Sequence, residues 1–207
     1  MMNFSEEVSK QIEEGIKIIR RGGVIAFPTD TVYGVGAGAY IEEAIERVYQ
    51  VKNRPREMAL PLLLADVSQL HEVASYVSPS AWKLIKAFLP GGLTLIVYRS
   101  RIIKDIITAG GDTVAVRIPD HPVPIALIKG SGMPLVGTSA NLSGQPALFT
   151  YEDVKNQIGD RVDYIVEGGP PPKGKESTVV DVTGEIPVIL RQGAIPREEL
   201  EKIVEIA

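Results

Sequence analysis

At 207 residues the chain has the length of one large domain rather than of two independent cores. It carries 22 Lys and Arg against 26 Asp and Glu, a net charge of −4 that excludes a strongly basic coat for nucleic acid. With 44% hydrophobic and 23% charged residues it is no disordered chain, and without cysteine it can hold no disulfide, thiolate zinc site, iron–sulfur cluster or cysteine nucleophile.

From the N-terminus, Val8, Ile12, Ile16 and Ile19 recur at helical spacing after Ser5, with Glu6 and Glu7 in the first turn and Gly22-Gly23 at the end, which predicts an amphipathic helix. This opening lacks the basic-then-apolar order of a signal peptide and reads as mature sequence. Val24 to Phe27 reads as a buried strand stopped by Pro28, and Thr29 to Gly38 as a polar loop. Glu42 to Lys52 is a second helix, ended before Pro55, and Leu60 to Ala65 a strand. Ser68 to Val77 and Ser80 to Leu89 read as helices, the latter stopped by Pro90-Gly91-Gly92. Strands follow at Leu93 to Tyr98 and Thr113 to Ile118, a helix at Pro122 to Lys129, a strand at Pro134 to Gly137, a helix at Tyr151 to Ile158 and a strand at Tyr164 to Val166. Gly168 to Lys175 is a loop by composition; Ser177 to Val182 and Val188 to Arg191 are strands, and Glu198 to Ile206 a closing helix.

Helices and strands interleave, yet several neighbouring strands are joined by connections too short for a crossover helix. The expectation is a single α/β domain over residues 1–207, a twisted mixed parallel/antiparallel sheet flanked by helices. No apolar run approaches the roughly 20 residues a bilayer requires, which together with the N-terminal reading predicts a cytoplasmic protein with no membrane partner.

His71 and His121 are the only histidines and form no pair at metal-ligand spacing, so metal and triad chemistry find no foothold. There is no Walker loop, and Gly34 to Gly38 is too short for a dinucleotide fingerprint. Instead, hydroxyl and amide groups follow apolar strands at Thr29-Asp30-Thr31 and at Thr138-Ser139-Ala140-Asn141, where open α/β sheets bind ligands. For either segment alone, turn and cap chemistry is the favoured account. Cations stand at Lys52-Asn53-Arg54-Pro55-Arg56, at Arg117 and at Arg191. An anion is their natural partner, although a solvated helix end also explains Lys52 to Arg56. Arg117 and Arg191 each follow apolar strand residues, where an unpaired charge is costly. Lys173 and Lys175 lie on a glycine loop that either closes over phosphates or is plain surface.

Seven segments in order resemble the YrdC family of threonylcarbamoyl-AMP synthases: Phe27 to Gly34, Lys52 to Pro55, Pro90 to Thr94, Val114 to Pro119, Thr138 to Gly144, Ser177 to Asp181 and Leu190 to Ala194. The similarity runs from about Gly15 to Ile195. It implies a YrdC-like fold and a nucleotidyltransferase that joins L-threonine, bicarbonate or CO2 and ATP into threonylcarbamoyl-adenylate and pyrophosphate. The product would be passed to a transferase complex that modifies tRNA, with at most weak tRNA contact by the chain itself. It further implies Thr31, Arg117 and Ser177 around threonine, and Lys52, Arg54, Thr113, Ser139, Asn141 and Arg191 around the nucleotide. Mg²⁺ is expected to accompany ATP, with no protein metal site, no tightly bound cofactor and no protein nucleophile. The chain departs from the family pattern at Ala65, where many members place a histidine, and at Ala147-Leu148-Phe149, where they have serine, proline and threonine. The resemblance is to the short form of the family, expected to do without the additional C-terminal domain of longer relatives. An RNA-binding or ribosome-assembly module of the same fold is the competing reading, opposed by the acidic balance and by only 6% aromatic residues.

Overall fold

The computed structural model describes residues 4–207. Helix α1 (Glu6–Arg20) starts at Ser5, whose hydroxyl accepts from the Val8 N–H, and carries acids in its first turn and bases in its last. It is followed by strands β1 (Ile25–Phe27) and β2 (Gly34–Gly38), helix α2 (Glu42–Lys52) and strand β3 (Leu62–Leu63). A short 3-10 turn leads into α3 (Leu70–Val73) and β4 (Ala74–Tyr76), then α4 (Pro79–Phe88), β5 (Leu93–Arg99), α5 (Asp105–Thr108) and β6 (Thr113–Arg117). The chain continues through α6 (Pro122–Ser131), β7 (Leu135–Ser139), α7 (Tyr151–Ile158), β8 (Tyr164–Ile165), β9 (Thr178–Asp181), β10 (Val188–Arg191) and α8 (Arg197–Glu201).

All these strands join one sheet in the order β10-β9-β5-β6-β3-β7-β2-β1-β8, with β4 beside β5. Pairs β1–β8, β3–β6 and β5–β9 are parallel and the rest antiparallel, so the sheet is mixed as expected. Four details depart from the sequence reading. The supposed loop at Thr29 to Gly38 ends in β2, which bridges β1 and β7 in the middle of the sheet. Glycine is poor strand former by propensity, but here proximity selects it: a Cβ on Gly36 would lie 2.2 Å from the Val136 carbonyl oxygen. The expected helix at Ser68 to Val77 is short and gives way to β4, whose Ala74 and Tyr76 pair with Arg99 and Tyr98. β7 runs on through Thr138 and Ser139, so these are strand residues rather than a turn. The closing helix stops at Glu201.

Strand alternation sends side chains to two faces. Ala26, Val35, Leu62, Leu95, Val97, Val114, Val116, Val136 and Val180 join α2, α3, α4, α7 and α8 in the larger core. On the other face Ile25, Phe27, Leu63 and Leu135 pack against Ile12 and Ile19 of α1 and Val123, Leu127 and Ile128 of α6. Strands β5, β6 and β9 contribute nothing to this second core. Helices α1 and α6 thus cover only part of that face and leave the remainder open.

Candidate active site

The open part of the sheet forms the floor of a cleft of ≈ 490 Å³, a size suited to a small-molecule ligand. Thr94 and Ile96 of β5, Ala115 and Arg117 of β6, Gly137 and Ser139 of β7, and Val179 of β9 face into it. Gly137 cannot carry a side chain without displacing Leu63, whose Cδ1 would be 2.6 Å from the added Cβ. A larger, more open depression of ≈ 800 Å³ lies at the opposite end of β5 and β6 around Arg99, Lys104 and Asp105. It contains none of the expected site residues, and its Arg99 is already paired with Asp105 at 2.7 Å.

One end of the cleft is built on Arg117. Its guanidinium is buried and held at three points: Nη2 donates to Asp30 Oδ1 at 2.6 Å, Nη1 to Thr31 Oγ1 at 2.8 Å and Nε to the Gly91 carbonyl at 3.0 Å. Asp30 is the counter-ion that a buried charge needs, and the sequence reading did not assign it to the site. Thr29 organises the turn: its hydroxyl donates to the Val32 carbonyl and accepts from the Thr31 N–H. Ser177 stands nearby in the cleft, its hydroxyl 2.8 Å from that of Thr94.

The other end is cationic. Lys52, at the C-terminus of α2, is 1% exposed and donates to the carbonyls of Ser139 and Asn141, so it fixes the loop after β7. Burial pushes its amine down to about 7, with Arg54 contributing and Glu176 opposing. Asn53 takes the left-handed conformation (φ 49) that ends the helix and turns Arg54 into the cleft. Arg54 is half-buried and braced on the carbonyls of Met58 and Ala59 at 3.0 and 2.8 Å. The Asn141 amide donates to the carbonyls of Leu142 and Gln145, which directs its oxygen away from them; Asn141 Oδ1 and Ser143 Oγ are both buried without a partner. Buried polar atoms are seldom left so.

Arg191 differs from its sequence reading. It lies on the edge strand β10 with its side chain 44% exposed, reaching back to the Ser177 carbonyl at 2.9 Å and to Glu176 at 3.2 Å. Thr113 is the one expected residue outside the cleft. It opens β6 opposite Tyr98, four residues and about 13 Å of strand away from Arg117. The other eight, Thr31, Arg117, Ser177, Lys52, Arg54, Ser139, Asn141 and Arg191, line this single cleft. Among the described residues no cluster of three or more His, Cys, Asp or Glu side chains could hold a metal ion. The Gly168 to Lys175 loop is docked rather than free: the N–H groups of Lys173 and Gly174 donate to the carbonyls of Asp30 and Thr31 at 3.2 and 2.8 Å, leaving both lysine side chains exposed.

The family model for the Sua5, YciO and YrdC proteins, described as "Telomere recombination", matches residues 17–193. The chain belongs to the Sua5/YciO/YrdC family. A curated Bacillus subtilis family member named threonylcarbamoyl-AMP synthase is 42% identical over 94% of this chain and 56% of its own length. A Pyrococcus abyssi member of the same name is 39% identical over 99% of this chain and 60% of its own. The chain therefore spans little more than half the length of these two relatives. The crystal structure of P. abyssi Sua5 complexed with L-threonine superposes with a TM-score of 0.90 at 40% identity, covering 95% of this chain and 58% of that one. Escherichia coli YciO, a family member of similar length, superposes with a TM-score of 0.81 at 28% identity over 92% of this chain and 93% of its own.

Proposed function

We propose that the chain is an L-threonylcarbamoyladenylate synthase. The observation that carries this reading is the single cleft in which a rigid hydroxyl and guanidinium pocket (Thr31, Arg117, Ser177) adjoins half-exposed cations (Arg54, Arg191) and an unmatched amide oxygen (Asn141). The pocket suits the hydroxyl and carboxylate of threonine, and the cations suit a triphosphate. Two relatives bearing this activity in their names, and a relative's threonine complex, support the same assignment.

In the proposed reaction the threonine amine attacks the carbon of CO2, supplied by dehydration of bicarbonate, and loses a proton to give a carbamate. A carbamate oxygen then attacks the α-phosphorus in line, the bond from that phosphorus to the bridging oxygen breaks, and pyrophosphate departs. No protein nucleophile is needed: the side chains orient the two substrates and neutralise charge that builds on the phosphates. Mg²⁺ would enter chelated by the triphosphate. Glu176 is the one carboxylate lining the cleft, which fits a metal held largely by substrate oxygens and not by a protein cage. We further propose that the adenylate passes to a partner that modifies tRNA, in the cytoplasm; among the described residues no helix is long and apolar enough to cross a membrane.

Pyrophosphate release from ATP in bicarbonate buffer, measured with each amino acid in turn, tests the reading. Release that depends on threonine supports it, and equal release with and without threonine defeats it.

A further inference from the structure

His121 lies outside the cleft but is wired to it. It is 2% exposed, stands four residues beyond Arg117 and occupies the N-cap of α6. Its Nδ1 accepts from the Val123 N–H at 3.2 Å, so the ring proton resides on Nε2, which donates to the Pro170 carbonyl at 2.9 Å. Burial holds this imidazole below its usual range, against the opposing pull of the Pro170 hydrogen bond and of the charges on Asp30 and Asp120, and so favours the neutral ring that accepts from Val123.

Pro170 begins a stiff strap. Pro170-Pro171-Pro172 is bounded by Gly169 (φ 107) and Gly174 (φ 82), backbone angles that side-chain-bearing residues rarely adopt. Gly169 passes so close to the histidine that a Cβ there would sit 2.8 Å from His121 Cε1. Beyond the prolines the strap pairs with the carbonyls of Asp30 and Thr31, the turn whose Thr31 hydroxyl Arg117 grips from the other side. Thr31 is therefore held through its side chain by the sheet and through its carbonyl by the strap.

We propose that His121 is a positioning residue that seats the residue 168–176 strap on the Thr29–Thr31 turn and thereby sets affinity for the amino acid substrate, leaving that for the nucleotide unchanged. This rests on the assignment of Thr31 to threonine made above. The nucleotide end has its own supports in Lys52 and the carbonyls around Arg54, and the strap bonds to its cations only through Glu176, whose ion pair with Arg191 at 3.2 Å is solvent-exposed and weak.

Two variants separate the two bonds of the ring. His121→Asn keeps an oxygen to cap α6 but falls short of Pro170; His121→Gln places an amide nitrogen where Nε2 stands and gives up the cap. Threonine and MgATP binding are measured by calorimetry, and ligand-free trypsin cleavage after Lys173 and Lys175 reports strap seating. His121→Asn is expected to weaken threonine binding and to speed cleavage, each about tenfold, with MgATP binding within about twofold; His121→Gln stays near the unaltered protein in all three. Gly169→Ala, altered from the strap side, should repeat the His121→Asn pattern. The opposite ranking, with His121→Gln impaired and His121→Asn normal, shows a helix cap and overturns the proposal, as does a parallel loss of threonine and MgATP binding. If the unaltered protein binds no threonine, the functional reading fails and the affinity claim with it. The trypsin arm then judges seating alone, which equal cleavage of His121→Asn and unaltered protein would refute.

Discussion

The two ends of the cleft are built on opposite plans. At the Arg117 end the groups are fixed before any ligand arrives: a buried guanidinium spends one N–H each on Asp30, Thr31 and Gly91, which fixes the hydroxyl that faces the cleft and leaves its remaining N–H groups for a ligand. At the Arg54 and Arg191 end the cations are half-exposed, and each is steadied on backbone carbonyls with room left for another partner. Preorganised groups discriminate, because a wrong ligand leaves them unpaired, whereas partly solvated cations attract anions broadly. The first end is suited to selecting one amino acid and the second to gripping and neutralising a polyphosphate.

The largest break in this contrast should come from Arg117→Ala. It strands the Asp30 carboxylate in the interior and is expected to cost about 3–5 kcal/mol of stability, seen as a lowered denaturation midpoint, together with loss of threonine-dependent turnover. Asp30→Asn should share the threonine defect. Arg54→Ala and Arg191→Ala come next. Each removes a charge-assisted contact worth about 1.5–3 kcal/mol, so ATP-dependent turnover should fall roughly 10- to 100-fold while the denaturation midpoint barely moves. Thr31→Val sharpens the comparison by sparing the charge: threonine KM should rise about tenfold with ATP KM unchanged.

A smaller effect concerns Lys52. With its amine at about 7, the free protein holds it largely neutral at about pH 8, and an arriving triphosphate favours the ammonium form. Nucleotide binding should then take up as much as about one proton at that pH and almost none near pH 6, read from the dependence of calorimetric heat on buffer. The sign for stability follows: the unfolded lysine binds its proton up to its ordinary 10.5, so the burial penalty is complete below about 7 and relaxes as pH rises between the two values. Smallest of all is Thr113→Ala, for which turnover should stay within about twofold because the residue stands outside the cleft.

Much of this was legible in the residues. Helices α1, α2, α4 and α7 declare themselves by apolar spacing, α1 also by its cap Ser5, and most of the strands by short apolar runs; the α4 cap is Ser78, two residues before the start read from the sequence. β2 escaped because glycine carries no strand signal; what places it is the absence of room beside Val136, which only the paired backbone reveals. Tyr76 escaped because its register partner, Tyr98, follows 22 residues later. At the site, motif and residue chemistry together named eight of the residues that meet in one cleft. Asp30 is not legible from sequence because its partner lies 87 residues away, and His121, unpaired with any second histidine, has a backbone carbonyl for its partner, which no side-chain pattern reveals. Arg191 was read as a charge at a buried strand end, but edge placement gives it solvent.

The bare pavement at Gly137 has a further consequence for anyone wishing to refit the cleft to a bulkier or smaller ligand. A larger residue there must displace the buried Leu63 side chain, so the shape of the cleft is more readily altered from its walls, by exchanging residues such as Thr31.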